Sequence, residues 1–204
     1  MKSVLISIQP KWCELIANGK KTVEVRKTVP KITAPFKVYI YCTHSKNGIA
    51  YCRGNTILNG KVIGEFVCGG FDEWYYQHIK TLFGNKGGYF LIEDDLNASC
   101  LTYEEFANYG NGKPLFGWHI SNLVIYDKPR ELSEFYTSNN SAIQSCEHRE
   151  IVGQPEYKTA HNGWIKGSYI CNKGEPDWCA KCKTKPITRP PQSWCYVESE
   201  VDTE

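Results

Sequence analysis

Between Gly19 and Arg26 the chain reads Gly-Lys-Lys-Thr-Val-Glu-Val-Arg, which sets an amine, a carboxylate and a guanidinium at Lys21, Glu24 and Arg26. The two cations can donate hydrogen bonds to phosphate oxygens or to acceptor edges of a base, and the carboxylate can accept from an exocyclic amine. Residues 21–26 alternate as a half-buried strand does. Val23 and Val25 then share one face, while Thr22, Glu24 and Arg26 share the other, with Lys21 at the strand's entrance. Such a face is a platform for a polar, planar or anionic ligand. A plain Glu24–Arg26 ion pair supporting the strand is the alternative.

The platform needs elements to hold it. Pro10 to Ala17 reads as a helix, with Pro10 in the first turn, Trp12, Cys13, Leu15 and Ile16 as its apolar face, and Gly19 as C-terminal cap. Strands are predicted near residues 2–8, 21–28, 36–42, 61–68, 88–92 and 116–126. Thr102-Tyr103-Glu104-Glu105 has capping-box spacing, which predicts a short helix from Tyr103 to Tyr109 ending at Gly110. Residues 71–83 are aromatic-rich and fit either helix or loop. Asp127 to Arg130 reads as a turn and Glu131 to Tyr136 as a brief helix. The one linker-like stretch is Thr137-Ser138-Asn139-Asn140-Ser141.

Gly19, Lys21, Glu24 and Arg26 match the G-x-K-x-x-E-x-R signature, and on those residues the chain resembles ASCH domains, a branch of the PUA-like β-barrels. The strand Val4 to Ile8 followed by Gln9-Pro10 is similar to the family's opening. Residues 37–41, 60–66, 117–120 and 124–126 resemble its later strands. The resemblance covers roughly residues 1–136. It implies an α+β fold, a mixed PUA-like β-barrel with short helices, with a cleft between the barrel and the helix after the first strand. In PUA-like domains that cleft receives RNA or, in some relatives, a single modified base. The expected organisation is a barrel domain over residues 1–136, a linker over 137–145 and a cysteine-rich extension over 146–204.

Charge is unevenly distributed. Residues 1–60 carry ten Lys or Arg against two acids, whereas residues 61–150 carry seven against thirteen, in a chain of formal net charge +2. A basic pole around the signature suits phosphate groups and steers anionic partners. No apolar run approaches the ~20 residues of a membrane-spanning helix. Met1-Lys2-Ser3 enters a strand directly, without the pattern of a secretory leader. A cytoplasmic protein is expected, with its ten cysteines as thiols or metal ligands.

The extension concentrates soft ligands. Cys179-Ala180-Lys181-Cys182 is a knuckle that lets two thiolates bind one tetrahedral metal, and Cys171 and Cys146 complete a four-cysteine set. Thiolates favour zinc, and a closed site would be structural. His148 and Cys195 are substitute ligands. However, Cys195 lies in Ser193 to Val197, which reads as a last strand packing back on the barrel, entered in extended conformation through Arg189-Pro190-Pro191-Gln192. A redox pair is the other reading, without the surrounding βαβ pattern it would need.

The expected ligand is RNA, a nucleotide or a modified nucleoside, bound through Lys21, Glu24, Arg26 and Lys20, with Trp12, Trp118 or Tyr109 as stacking surfaces. Trp12 also suits the core. An enzymatic reading would take Lys21, Glu24 and His119 as catalytic candidates. A bacterial ASCH branch hydrolyses N4-acylated cytidine with a lysine at the Lys21 position, but it has a threonine where this chain has Glu24. A neighbouring carboxylate favours the charged ammonium, which argues against a neutral, nucleophilic lysine. Other family members are ribonucleases, for which His119 with Lys21 would supply acid–base groups. Binding is expected over catalysis. A protein–protein interaction module of phage or mobile-element type is the remaining alternative.

Overall fold

The computed structural model describes residues 2–45, 50–53, 56–81, 84–138, 149–152, 168–171 and 184–198. Strand β1 (Lys2–Ile8) leads into helix α1 (Pro10–Ala17), followed by β2 (Val23–Arg26) and β3 (Phe36–Cys42). A small pair, β4 (Cys52–Arg53) and β5 (Thr56–Ile57), precedes the long β6 (Val62–Trp74). The hairpin β7 (Tyr76–Thr81) and β8 (Gly84–Tyr89) comes next, then helices α2 (Glu93–Ser99) and α3 (Tyr103–Gly110). Strand β9 (Leu115–Arg130) is the longest and ends at a 3-10 turn, Leu132–Glu134. Short strands β10 (Tyr136–Ser138), β11 (Arg149–Val152), β12 (Ser168–Cys171) and β13 (Thr184–Pro186) precede the last, β14 (Trp194–Glu198).

The main sheet is mixed, in the order β14-β1-β3-β6-β9-β2, with β1 and β3 parallel and every other neighbouring pair antiparallel. Its two ends approach each other: Arg26 on edge strand β2 reaches the carbonyl of Ser7 on β1, and Trp194 Nε1 on the opposite edge strand β14 donates to Thr28 Oγ1 just beyond β2. The sheet is thus curled until side chains join its ends. Strand β1 is buried on both faces, as a central strand with a parallel neighbour should be. Val4, Ile6 and Ile8 meet Val38, Ile40, Phe66 and Trp118 inside the curl, with Cys13 and Ile16 of α1 packed against them. Leu5 packs on the outer side with Tyr39, Tyr41, Phe135, Ile187 and Val197.

Several elements differ from the sequence expectation. Residues 71–81 are mostly strand rather than helix or loop, because β6 runs on to Trp74 and β7 of the β7–β8 hairpin follows; residues 82 and 83 lie outside the described residues. The predicted turn at residues 127–130 is the end of β9. Pro129 is tolerated there because β2 pairs with β9 only over residues 116–119, which leaves the far edge of β9 without a strand that needs its missing N–H. Residues 93–99 form α2, whose first turn holds Glu93, Asp94 and Asp95, a signal that suits the positive end of the helix dipole. The linker expected from residue 137 begins inside β10, which pairs with β13; residues 139–145 lie outside the described residues.

Helix α3 has the capping box read from its sequence. Thr102 Oγ1 accepts from the Glu105 amide at 3.1 Å, and Glu105 Oε2 accepts from the Thr102 amide at 3.0 Å. Thr102→Ala should therefore lower stability by about 1 kcal/mol, read from a denaturant midpoint. An unchanged midpoint would show that the cap is replaceable.

Candidate functional site

The helix α1 ends in a Schellman motif that delivers the signature. The Gly19 amide donates to Ile16 O and the Lys20 amide to Leu15 O, both at 2.9 Å, and Gly19 takes the left-handed φ of 67° that this closure requires. Three residues after Lys20, at Val23, β2 begins. Val23 and Val25 pack with Trp74, Tyr89, Phe106 and Leu115, beneath α2 and α3. Glu24 and Arg26 consequently point the other way, as the alternation predicts.

These polar side chains line the floor of a cleft of about 780 Å³. One wall is Trp12 of α1 with Gln9 before it, and the facing wall is Glu105, Asn108 and Tyr109 of α3. A third wall comes from the far end of the chain, Pro190 to Ser193. Lys21, Glu24 and Arg26 are each less than a tenth exposed. Glu24 Oε1 lies 3.0 Å from Arg26 Nη2, and Glu24 Oε2 lies 3.5 Å from Lys21 Nζ. Lys21 Nζ also donates to the Ser99 carbonyl at 2.5 Å, and Arg26 Nη2 to the Ser7 carbonyl at 2.6 Å. One carboxylate against two cations leaves the floor positive.

Burial pulls the Lys21 pKa below its ordinary value, with Glu24 opposing the shift as the largest raising influence. Glu24 favours the charged ammonium, as the sequence leads one to expect, but burial, which the sequence does not reveal, outweighs it. Desolvation wins because the amine is almost fully removed from water. Among the aromatic candidates, Trp12 is half-buried, with Lys21 Nζ 5.0 Å and Lys11 Nζ 4.2 Å from its ring centre. Tyr109 is partly exposed, with Lys27 Nζ 4.9 Å from its ring. Both present ring surface to the cleft.

Other expected site residues fall elsewhere. Trp118 is fully buried and is not a stacking surface. It pairs opposite Glu24 and so shares its face, but it sits one strand further into the sheet, where Phe36, Phe71 and Trp194 pack around it. His119 alternates to the opposite face, where its Nε2 lies 2.8 Å from Asp72 Oδ2, outside the cleft and away from Lys21. Lys20 is exposed beside the helix cap and does not line the cleft. Sequence reasoning missed Gln9, Asn108 and Gln192 as cleft residues. Only the folding of distant segments brings them together.

Of the expected metal ligands, Cys146, His148, Cys179 and Cys182 lie outside the described residues, and Cys171 is described only as the backbone end of β12. Cys195 is in β14, where burial raises its thiol pKa to about 11. Among the described residues no cluster of three or more His, Cys, Asp or Glu could hold a metal. No described helix is long and apolar enough to cross a membrane.

No family model matches the chain. Over 62 residues it is 34% identical to an ASCH domain-containing ribonuclease of Zymomonas mobilis, a stretch that is 30% of this chain and 42% of that relative. The chain therefore matches less than half the length of that curated relative. A crystal structure of ASCH from Zymomonas mobilis aligns at a TM-score of 0.44 and 19% identity, covering 64% of this chain and 73% of that one. A point mutant of the same protein aligns at 0.44 and 19%, covering 65% and 77%. Over that 62-residue stretch the chain is similar to a protein with an ASCH domain.

Proposed function

We propose that the cleft binds single-stranded RNA or a modified nucleoside, with a base against Trp12 or Tyr109 and phosphates on the surrounding basic surface. The observation that carries this reading is the union, in one cleft, of a positive buried floor and two partly open aromatic rings. The volume lies in the range of small-molecule sites, enough for a nucleotide but not for a duplex. The name of the Zymomonas relative, a ribonuclease, supports RNA as the class of ligand.

The test is fluorescence anisotropy with short single-stranded oligoribonucleotides and N4-modified cytidines, on wild type and Tyr109→Ala. Removing a stacked ring should weaken binding by about 1–3 kcal/mol. Affinity should fall steeply with salt, because phosphate contacts release counterions. Equal affinity in the variant, or binding insensitive to salt, would overturn the reading and favour a protein-binding module.

Catalysis is the second reading, and the burial that lowers the Lys21 pKa favours it, since it eases loss of the proton that a general acid must give up. Mass spectrometry of the same mixtures decides. Turnover by wild type that disappears in Lys21→Ala would make the protein a hydrolase or a ribonuclease. Intact substrates would leave binding.

For the extension we propose a structural zinc held by Cys146, Cys171, Cys179 and Cys182. About one zinc per chain is expected by elemental analysis, and less in Cys179→Ser. Metal-free wild type would end that proposal.

A further inference from the structure

The wall formed by Pro190 to Ser193 is tied into the cleft rather than draped over it. Ser7 Oγ donates to the Pro191 carbonyl at 2.7 Å, and the Ser7 amide donates to the Ser193 carbonyl at 2.9 Å. Ser7 thus grips the wall at two points, while its own carbonyl accepts from Arg26 at 2.6 Å. Ser193 Oγ in turn lies 3.5 Å from Arg26 Nη1. Immediately beyond, Trp194 Nε1 is anchored on Thr28 Oγ1 at 3.0 Å, and the Tyr196 hydroxyl accepts from the Lys31 amide at 2.6 Å. The two prolines fix φ and donate no amide hydrogen. The wall is accordingly stiff, and the carbonyls of Pro191 and Ser193 are both used in holding it.

One side chain of the wall is left for other work. Gln192 lines the cleft, is exposed, and makes no hydrogen bond among the described residues. A carboxamide offers a donor and an acceptor side by side, the pattern that reads a base edge bidentately. The charged floor cannot do this well, because Lys21, Glu24 and Arg26 are already bonded to one another and to backbone carbonyls.

We propose that Pro190 to Ser193 is the specificity wall of the cleft and that Gln192 reads the edge of a nucleobase held there. This rests on the single-stranded RNA reading above and adds what selects the base. The stiff backbone leaves only the Gln192 side chain itself to be ordered at binding.

The test uses the full chain and four homopolymeric single-stranded RNAs, one for each base, with anisotropy on wild type, Gln192→Ala and Gln192→Glu. Wild type should prefer one base. Gln192→Ala should weaken that preferred RNA by about 5- to 150-fold and leave the others nearly unchanged, which flattens the preference. Gln192→Glu keeps the side chain's reach but cannot donate, so it should not restore the original preference. Neither substitution touches a bond that holds the fold, so melting temperatures should equal that of wild type. A preference that survives Gln192→Ala would overturn the proposal. So would equal binding of all four RNAs by wild type, although RNA binding itself would then stand. If wild type binds none of them, the RNA reading and this inference fall together.

Discussion

Glu24→Ala is expected to destabilise the fold by about 3–5 kcal/mol, because it leaves two buried cations facing each other without their shared carboxylate. For a chain of this size that corresponds to a fall in Tm of roughly 6–20 °C. Lys21 and Arg26 are each bonded to a backbone carbonyl, from Ser99 and Ser7, so neither can swing into water without giving up that bond. Urea denaturation measures the effect. A loss below about 1 kcal/mol, the range of an exposed pair, would mean that the floor is solvated.

The pH dependence of Glu24→Gln gives the same argument a sign. Burial already lowers the Lys21 pKa, and Glu24 is the largest influence opposing it. Without that carboxylate the folded-state value falls further below the unfolded value of about 10.4. Between the two values the unfolded chain binds more protons than the folded one, so stability rises with pH. The deficit of Glu24→Gln relative to wild type should therefore shrink as pH is raised through that window. Thiols and tyrosines also titrate there, but they are common to both proteins and cancel in the difference. A deficit that grows with pH would sink the argument. Adding Lys21→Met to Glu24→Gln should recover part of the loss, since the second change removes the charge that the first one strands.

What the sequence makes legible here is local. The helix over residues 10–17, its glycine cap and the two-sided strand expected over residues 21–26 follow from spacing that spans fewer than twenty residues; the structure has the helix and the cap, and the strand over Val23–Arg26. The capping box of α3 is equally local. The companions of the signature are not. Ser193 meets Arg26 across 167 residues, and Lys21 meets the Ser99 carbonyl across 78. No periodicity encodes such meetings. Strand alternation also fails to distinguish depth. Glu24 and Trp118 face the same side of paired strands, yet one lines the cleft and the other is enclosed by rings from three other elements. The length of β6 was illegible for a related reason. Its register shifts against β9 at three places, which breaks the strict alternation a strand reading depends on. Gly64 lies at one of them, with backbone so close that an added Cβ would meet the Val124 carbonyl at 2.3 Å.

Trp118→Ala should be about as damaging as the loss of Glu24, at about 3–5 kcal/mol, but by a different route. Trp118 is among the largest fully buried side chains. Its ring lies edge-on to Phe36 at 6.0 Å and to Phe71 at 5.6 Å, and 6.0 Å from Trp194. Trp194 belongs to β14, the opposite edge of the curled sheet, so Trp118 packs across the seam that side chains alone close. Truncation opens a cavity at that seam, and the neighbouring rings, fixed on three strands, cannot collapse into it. Trp118→Phe separates packing from polarity. The indole Nε1 is buried and has no hydrogen-bond partner among the described residues. A buried donor without a partner costs about 1–3 kcal/mol, and phenylalanine removes that donor while retaining an aromatic ring. The phenylalanine variant should consequently lie much closer to wild type than to alanine in urea midpoint. Equal losses in the two variants would show that the indole makes a bond essential to the fold. Because Arg26 and Ser193 meet along the same seam, Trp118→Ala should also weaken ligand binding in the cleft, although Trp118 itself touches no ligand there.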